Sequence, residues 1–238
     1  MIENARYAIY YTPAEDHALT MLGSEWLGRD VYTGDKIRRR EFPGMSDDDI
    51  DRLTNSPSHY GFHATMKAPF KLREGRTEAQ LIRLLGRFAR QQPAFDVRLA
   101  VRPLGQFLAL RLTEHSDAMR ALHDACVKDF DGFRSALSYD DIKRRRKADL
   151  SPEQDARMLE WGYPYIFEDF RWHMTLSSRI VSDATRERVL ALLKDMFQPA
   201  LIDPHRVDGV ALYRQVDRST PFKVIARSSF PALADQPV

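Results

Sequence analysis

The chain has 238 residues, of which 43% are hydrophobic and 29% charged, with 36 Lys and Arg against 34 Asp and Glu and a formal net charge of +2. This suffices for one large domain or two small ones with a full core, and it is not the strongly basic balance of a general polyanion binder. The single cysteine, Cys126, excludes an intramolecular disulfide and a thiolate zinc cluster and fits a reducing compartment.

Met1 to Tyr7 has no basic stretch leading into an apolar core, so no signal peptide is expected. No uncharged apolar run approaches about 18 residues, so no membrane partner is expected, and the reading is a soluble, cytoplasmic monomer. Arg6–Thr12 (RYAIYYT) reads as a strand, and Asp16–Leu27 as a helix with Leu19, Leu22 and Trp26 on one face. Residues 28–60 read as loop with a short helix near Asp47–Leu53, and Phe62–Leu72 as a strand. Thr77-x-x-Gln80 is a capping box opening a helix to about Gln91. Phe95–Val101 and Gln106–Thr113 form a predicted hairpin, followed by a helix over Ser116–Phe130. Residues 132–150 are polar and carry the basic run Lys143–Lys147. Ser151-Pro152-Glu153-Gln154 starts another helix, Arg171–Val181 is a strand, Asp183–Phe197 a helix, and Arg206–Gln215 with Phe222–Ser228 a second hairpin.

One four-residue pattern occurs twice, as His63-Ala64-Thr65-Met66 and His173-Met174-Thr175-Leu176, 110 positions apart. Each copy lies in a predicted strand, where residues i and i+2 share a face. Two such strands side by side gather two imidazoles and two hydroxyls around one cleft. That set suits splitting a phosphodiester with one base, one acid and two groups to hold phosphate oxygens. The order strand with His-x-Thr, helix, proline, strand, turn, strand also occurs twice, over residues 62–113 and 171–228. It predicts a duplicated α+β chain whose motif strands meet at the centre.

Paired His-x-Thr-apolar strands in a doubled α+β chain resemble the two-histidine phosphoesterase superfamily, typified by bacterial RNA 2′,3′-cyclic phosphodiesterases. The blocks RYAIYYTP (Arg6–Pro13), EWLGRD (Glu25–Asp30), YGFHATMKAPF (Tyr60–Phe70) and WGYPYIFEDFRWHMTLS (Trp161–Ser177) look closer still to a family found with bacterial phosphonate-utilisation genes. The resemblance implies one bilobed domain over residues 1–238, with two antiparallel sheets flanked by helices around a central cleft. It also implies a metal-independent cyclic phosphodiesterase without a cofactor, and carries over His63, Thr65, His173 and Thr175 as its catalytic set. A phosphorylated ribose linked to phosphonate metabolism and a 2′,3′-cyclic nucleotide or RNA end are the two substrate readings. A non-catalytic module of the same fold that holds a nucleotide or RNA end is the alternative.

Strand parity extends the cleft to Lys67 and, around the second motif, to Arg171 and Ser177, while Tyr60 precedes the first motif; these four are the candidate substrate contacts. The run Lys143–Lys147 reads as a solvated face or as a lid over an anionic substrate. Tyr10 reads as core packing beside the site. His59 and His63 have a zinc-compatible spacing on a helix, but Pro57, Ser58 and Gly61 are expected to break any helix there, so no metal site is predicted. The chain has no Gly-x-x-x-x-Gly-Lys-Ser/Thr phosphate loop, no Gly-x-Gly-x-x-Gly and no serine nucleophile elbow.

Overall fold

The computed structural model describes residues 5–231, so residues 1–4, on which the signal-peptide reading partly rests, lie outside the described residues. In chain order the elements are β1 (Arg6–Tyr11), α1 (Ala18–Leu27), α2 (Asp47–Tyr60), β2 (Ala64–Phe70), α3 (Glu78–Ala89), β3 (Phe95–Val97), β4 (Leu99–Leu104), β5 (Phe107–Leu112), α4 (Asp117–Asp129), α5 (Tyr139–Arg145), α6 (Pro152–Trp161), β6 (His173–Thr175), α7 (Asp183–Phe197), β7 (His205–Val207), β8 (Gly209–Gln215) and β9 (Lys223–Ser229). The fold is mixed α+β, built on a large antiparallel sheet. No helix among the described residues is long and apolar enough to cross a membrane.

Seven strands form one sheet in the order β4-β5-β6-β2-β1-β8-β9, and β3 pairs with β7 as a separate ribbon. Every pairing is antiparallel. The expected pair of antiparallel sheets around the cleft is instead one large sheet with a small ribbon beside it. The motif strands β2 and β6 bond directly to each other, so the sheet runs unbroken through the centre. Each half lends its hairpin to the far side: β4-β5 flanks β6, while β8-β9 joins β2 through β1. The helices cross over as well, α3 packing on β8 and β9 and α7 on β4.

Alternation along the strands separates the two faces of the sheet. Tyr7, Ile9, Tyr11, Ala64, Met66, Leu108, Leu110, Met174 and Leu212 point into the main core, which the helices cover. Ala8, Tyr10, Ala211 and Tyr213 point the other way, into a smaller cluster closed by Val31, Phe222 and Val224. The polar motif residues lie on this second face, open to a cleft.

Helix ends match their sequence signals. Thr77 and Ser151 accept from the backbone N–H groups of Gln80 and Gln154 and complete capping boxes. Two helices depart from the reading. Helix α5 forms within the polar stretch, capped by Ser138. Helix α2 runs through Pro57 to Tyr60. A proline removes the hydrogen bond to the carbonyl four residues back; that carbonyl, on Leu53, accepts instead from the Ser178 N–H at 2.5 Å. Thus the helix survives its proline by bonding to the loop that follows β6. The second motif strand is shorter than expected, only His173–Thr175, because Leu176 N and Ser177 N both donate to the one carbonyl of Leu108 in β5, which ends the regular ladder.

His123 is 2% exposed and stacks on Phe170 at 3.6 Å, and burial pushes its pKa down to about 3. An unfolded chain takes up a proton at this ring near its ordinary pKa of 6.5, so stability is lost as pH falls from 6.5 toward 3. The slope is about 1.4 kcal/mol per pH unit for such a group. His123→Phe should therefore flatten the pH dependence of urea unfolding between pH 6 and 4 by about that amount. An unchanged slope would show that His123 is not held neutral.

Candidate active site

The register of β2 against β6 is set by Ala64 opposite Met174, both buried on the helix-covered face. One step either way puts His63 opposite Thr175 and Thr65 opposite His173, with all four side chains on the cleft face. Facing residues have Cβ atoms about 4.5–5.5 Å apart and diagonal ones about 7–8 Å, so the two imidazoles sit diagonally across one small square. All four residues line a single cleft of about 950 Å³.

Both rings are oriented alike. His63 Nδ1 lies 2.8 Å from the Gly61 carbonyl, and His173 Nδ1 lies 2.7 Å from the Arg171 carbonyl. A carbonyl only accepts, so each Nδ1 carries the proton and each Nε2 keeps a lone pair. The Thr65 hydroxyl, 3.3 Å away, donates to His63 Nε2. The face of His63 rests on Tyr10, ring centroids 3.8 Å apart. Burial lowers the pKa of His63 to about 4, and burial lowers that of His173 as well. The backbone carbonyls act in the opposite direction, because an Nδ1–H donor favours the charged ring.

Gly61 has a reason to be glycine. Its φ is +82°, and a Cβ there would meet Val31 Cγ1 at 2.1 Å. The tight turn lets its carbonyl face the ring two residues on. The second motif is braced differently: Trp26 Nε1 donates to Leu176 O at 2.6 Å, and the Leu108 N–H donates to Ser177 Oγ at 2.9 Å.

The other candidate residues separate. Tyr60 lines the cleft, 6.2 Å from the His63 ring and stacked on Phe222. Lys67 does not line this cleft but the smaller space beside it. A bulge between Thr65 and Lys67, where one step of β1 spans two of β2, breaks the alternation and puts Lys67 opposite core-facing Ile9. Its ammonium, 3% exposed as a residue, donates to Val127 O at 2.8 Å and pairs with Asp131 at 2.9 Å. The Arg171 side chain lies in a separate groove with Glu114 and His115, because the strand begins only at His173; its contribution to the site is its carbonyl. Ser177 lines the cleft, but its hydroxyl accepts from backbone. His59 stands on α2 after all, and Gln215 Nε2 donates to its Nε2 at 2.8 Å. No cluster of three or more potential metal ligands occurs among the described residues.

Arg6, Tyr163 and Arg218 also line the cleft and carried no expectation from the sequence. Arg144 and Arg145, from the basic run read as a solvated face or a lid, reach it from α5. Arg6 was accessible to parity, since it shares a strand face with Tyr10. Arg218 lies in the turn after β8 and carries no periodic signal. No carboxylate lines this cleft among the described residues.

The shared ring orientation is open to direct test. Long-range nitrogen–proton NMR correlation above pH 7 should find both His63 and His173 protonated at Nδ1. Protonation of either ring at Nε2 would contradict the carbonyl assignment.

Residues 65–223 match a family described as "Protein of unknown function (DUF1045)". A relative from Janthinobacterium sp. (strain Marseille), named ribose 1,5-bisphosphate phosphokinase PhnN, is 38% identical over 91% of this chain and 49% of its own length. One of the same name from Laribacter hongkongensis (strain HLHK9) is 32% identical over 92% of this chain and 50% of its own. The chain thus spans about half the length of these curated relatives. Among solved structures, a conserved protein of unknown function from Agrobacterium tumefaciens str. C58, ATU0111, is 12% identical with a TM-score of 0.45, over 95% of this chain and 88% of that one. By the match over residues 65–223, the chain is a member of the DUF1045 family.

Proposed function

We propose that the chain hydrolyses a phosphodiester, cyclic or small and linear, on a phosphorylated ribose-like substrate, without a metal. The observation that carries this reading is the pair of unprotonated Nε2 atoms, that of His63 held by a long hydrogen bond from Thr65, on two rings that line one cleft with two threonine hydroxyls and, among the described residues, no carboxylate.

In the proposed reaction one imidazole takes a proton from water through Nε2 as the water oxygen bonds to phosphorus. The bond from phosphorus to the leaving oxygen breaks, and the other ring, entering as imidazolium, gives its Nε2 proton to that oxygen. A diester and water become a monoester and a free hydroxyl, and the two rings exchange protonation states. With substrate bound, the Thr65 hydroxyl turns from His63 Nε2, and it and Thr175 donate to the non-bridging oxygens, each bond worth roughly 1.5–3 kcal/mol to a charged acceptor. Tyr10 fixes the plane of His63 from behind.

The relatives' shared name speaks of a kinase acting on a ribose bisphosphate. A ribose phosphate suits this cleft, but phosphoryl transfer from a nucleotide has no visible apparatus in this chain. The nearest approach to a phosphate loop, Gly23 to Gly28, continues with Arg29 and Asp30 instead of Lys and Ser or Thr. Gly28 is the left-handed cap that ends α1. That name belongs to relatives of which this chain spans about half the length.

Turnover of 2′,3′-cyclic nucleotides or ribosyl 1,2-cyclic phosphates should persist in EDTA and fall by about 10²–10⁴ in His63→Ala and in His173→Ala. Abolition by EDTA, or ATP-dependent phosphorylation of a ribose bisphosphate by this chain alone, would overturn the reading. The pH profile follows from the signs of the shifts. The base must be neutral and the acid protonated, and both rings titrate below their ordinary 6.5, His63 at about 4. So kcat/KM should rise through about pH 4, peak below 6.5 and decline above it; a flat profile from pH 5 to 9 would contradict the pairing of the rings.

A further inference from the structure

Beyond the two histidines, the cleft opens into a second chamber of about 320 Å³. Arg6, Arg144, Arg145 and Arg218 line both spaces and so stand at the passage between them. They come from three separate parts of the chain: β1, α5 and the turn between β8 and β9. We infer that these arginines form an anion subsite taking a second phosphate, a monoester carried by the same substrate whose diester lies at the histidines. The inference rests on the phosphodiesterase reading only for what occupies the histidine end.

The arginines are poorly neutralised by the protein. Asp141 and Asp140 line the second chamber, and among the described residues one carboxylate, Asp141, pairs with both Arg144, at 2.6 Å, and Arg218, at 2.8 Å. Arg6 donates to the neutral side-chain oxygen of Gln215 at 2.7 Å. Arg145 lies over the Tyr163 ring at 5.2 Å, and its Nε is buried without a hydrogen-bond partner. A buried guanidinium N–H with no acceptor carries an uncompensated cost of desolvation. The groups also repel: Arg6 is pushed below its ordinary pKa by burial and then by Arg218, and Arg145 by burial with contributions from Arg144 and Arg218. An acceptor brought by a ligand relieves both penalties.

The chemistry of that ligand follows from the number and type of donors. A carboxylate engages one guanidinium fork fully, whereas the three terminal oxygens of a phosphate monoester can engage several forks at once. The cleft is also large for its task. At about 950 Å³ it lies near the top of the range for small-ligand pockets, far more than a bare five-membered cyclic phosphate fills. Tyr60 and Tyr163 line the wall between the histidines and the arginines, apolar faces suited to a pentose or base.

The test compares two ligands differing by one phosphate: adenosine 2′,3′-cyclic phosphate and its 5′-phosphorylated form, titrated calorimetrically at fixed ionic strength. The 5′-phosphate should tighten binding at least about tenfold, as expected for charge-assisted hydrogen bonds. Arg145→Gln and Arg218→Gln should each reduce that gain to about threefold or less. Arg218 sits on an exposed turn, so its variant tests the subsite even where Arg145→Gln fails to fold. Equal affinities in the unaltered protein, no binding of the 5′-phosphorylated form, or a gain that survives both substitutions would overturn the subsite. Turnover of both ligands without the gain sinks the subsite and spares the phosphodiesterase reading. The gain without turnover of either does the reverse.

Discussion

The pairing of Ala64 with Met174 joins β2 to β6 and, through them, the two halves of the chain. Both residues are buried under the helices, which fixes the register: a slip by one position would bury the histidines and expose the apolar residues. With that register in place, the neighbouring His and Thr of each strand have only the cleft face left. The rest of the site is support. Gly61 and Arg171 offer carbonyls that fix both rings, Tyr10 backs one of them, and Trp26 and Ser177 tie down the strand that carries the other.

The surroundings of the site explain its electrostatic character. Two rings kept neutral by burial and four arginines face a cleft with no carboxylate among the described residues. Such a cavity stores unfavourable free energy in the free protein, in desolvated imidazoles and crowded guanidiniums, and an anionic ligand relieves it. In the proposed reaction, arrival of a phosphate would also raise the pKa of the nearby rings and favour protonation of the one that serves as acid.

Much of this was legible in the sequence, for identifiable reasons. The two His-x-Thr strands could be placed on one face because a strand alternates strictly, and the capping boxes at Thr77 and Ser151 marked helix starts because their hydrogen bonds are local. Lys67 went wrong through the same alternation: a bulge, set by pairing with β1, is invisible in β2 alone. Helix α2 passed its proline because a residue 125 positions beyond Leu53, Ser178, satisfies the freed carbonyl. Of the arginine cluster only the basic run with Arg144 and Arg145 stood out; Arg6 and Arg218 join it from a strand and a turn that meet that helix only in the folded chain. In sequence the stretch around Lys143 carried charge but no periodicity, although it folds as a helix capped by Ser138.

In the proposed mechanism both imidazoles serve one phosphorus atom. Crystals grown with vanadate and a nucleoside, which together mimic a five-coordinate phosphoryl centre, test it most directly. One vanadium centre is expected between the rings, with His63 Nε2 and His173 Nε2 each within about 3.2 Å of a different vanadate oxygen and the two threonine hydroxyls on the remaining ones. A vanadate that contacts only one ring, or that settles away from both, would contradict it.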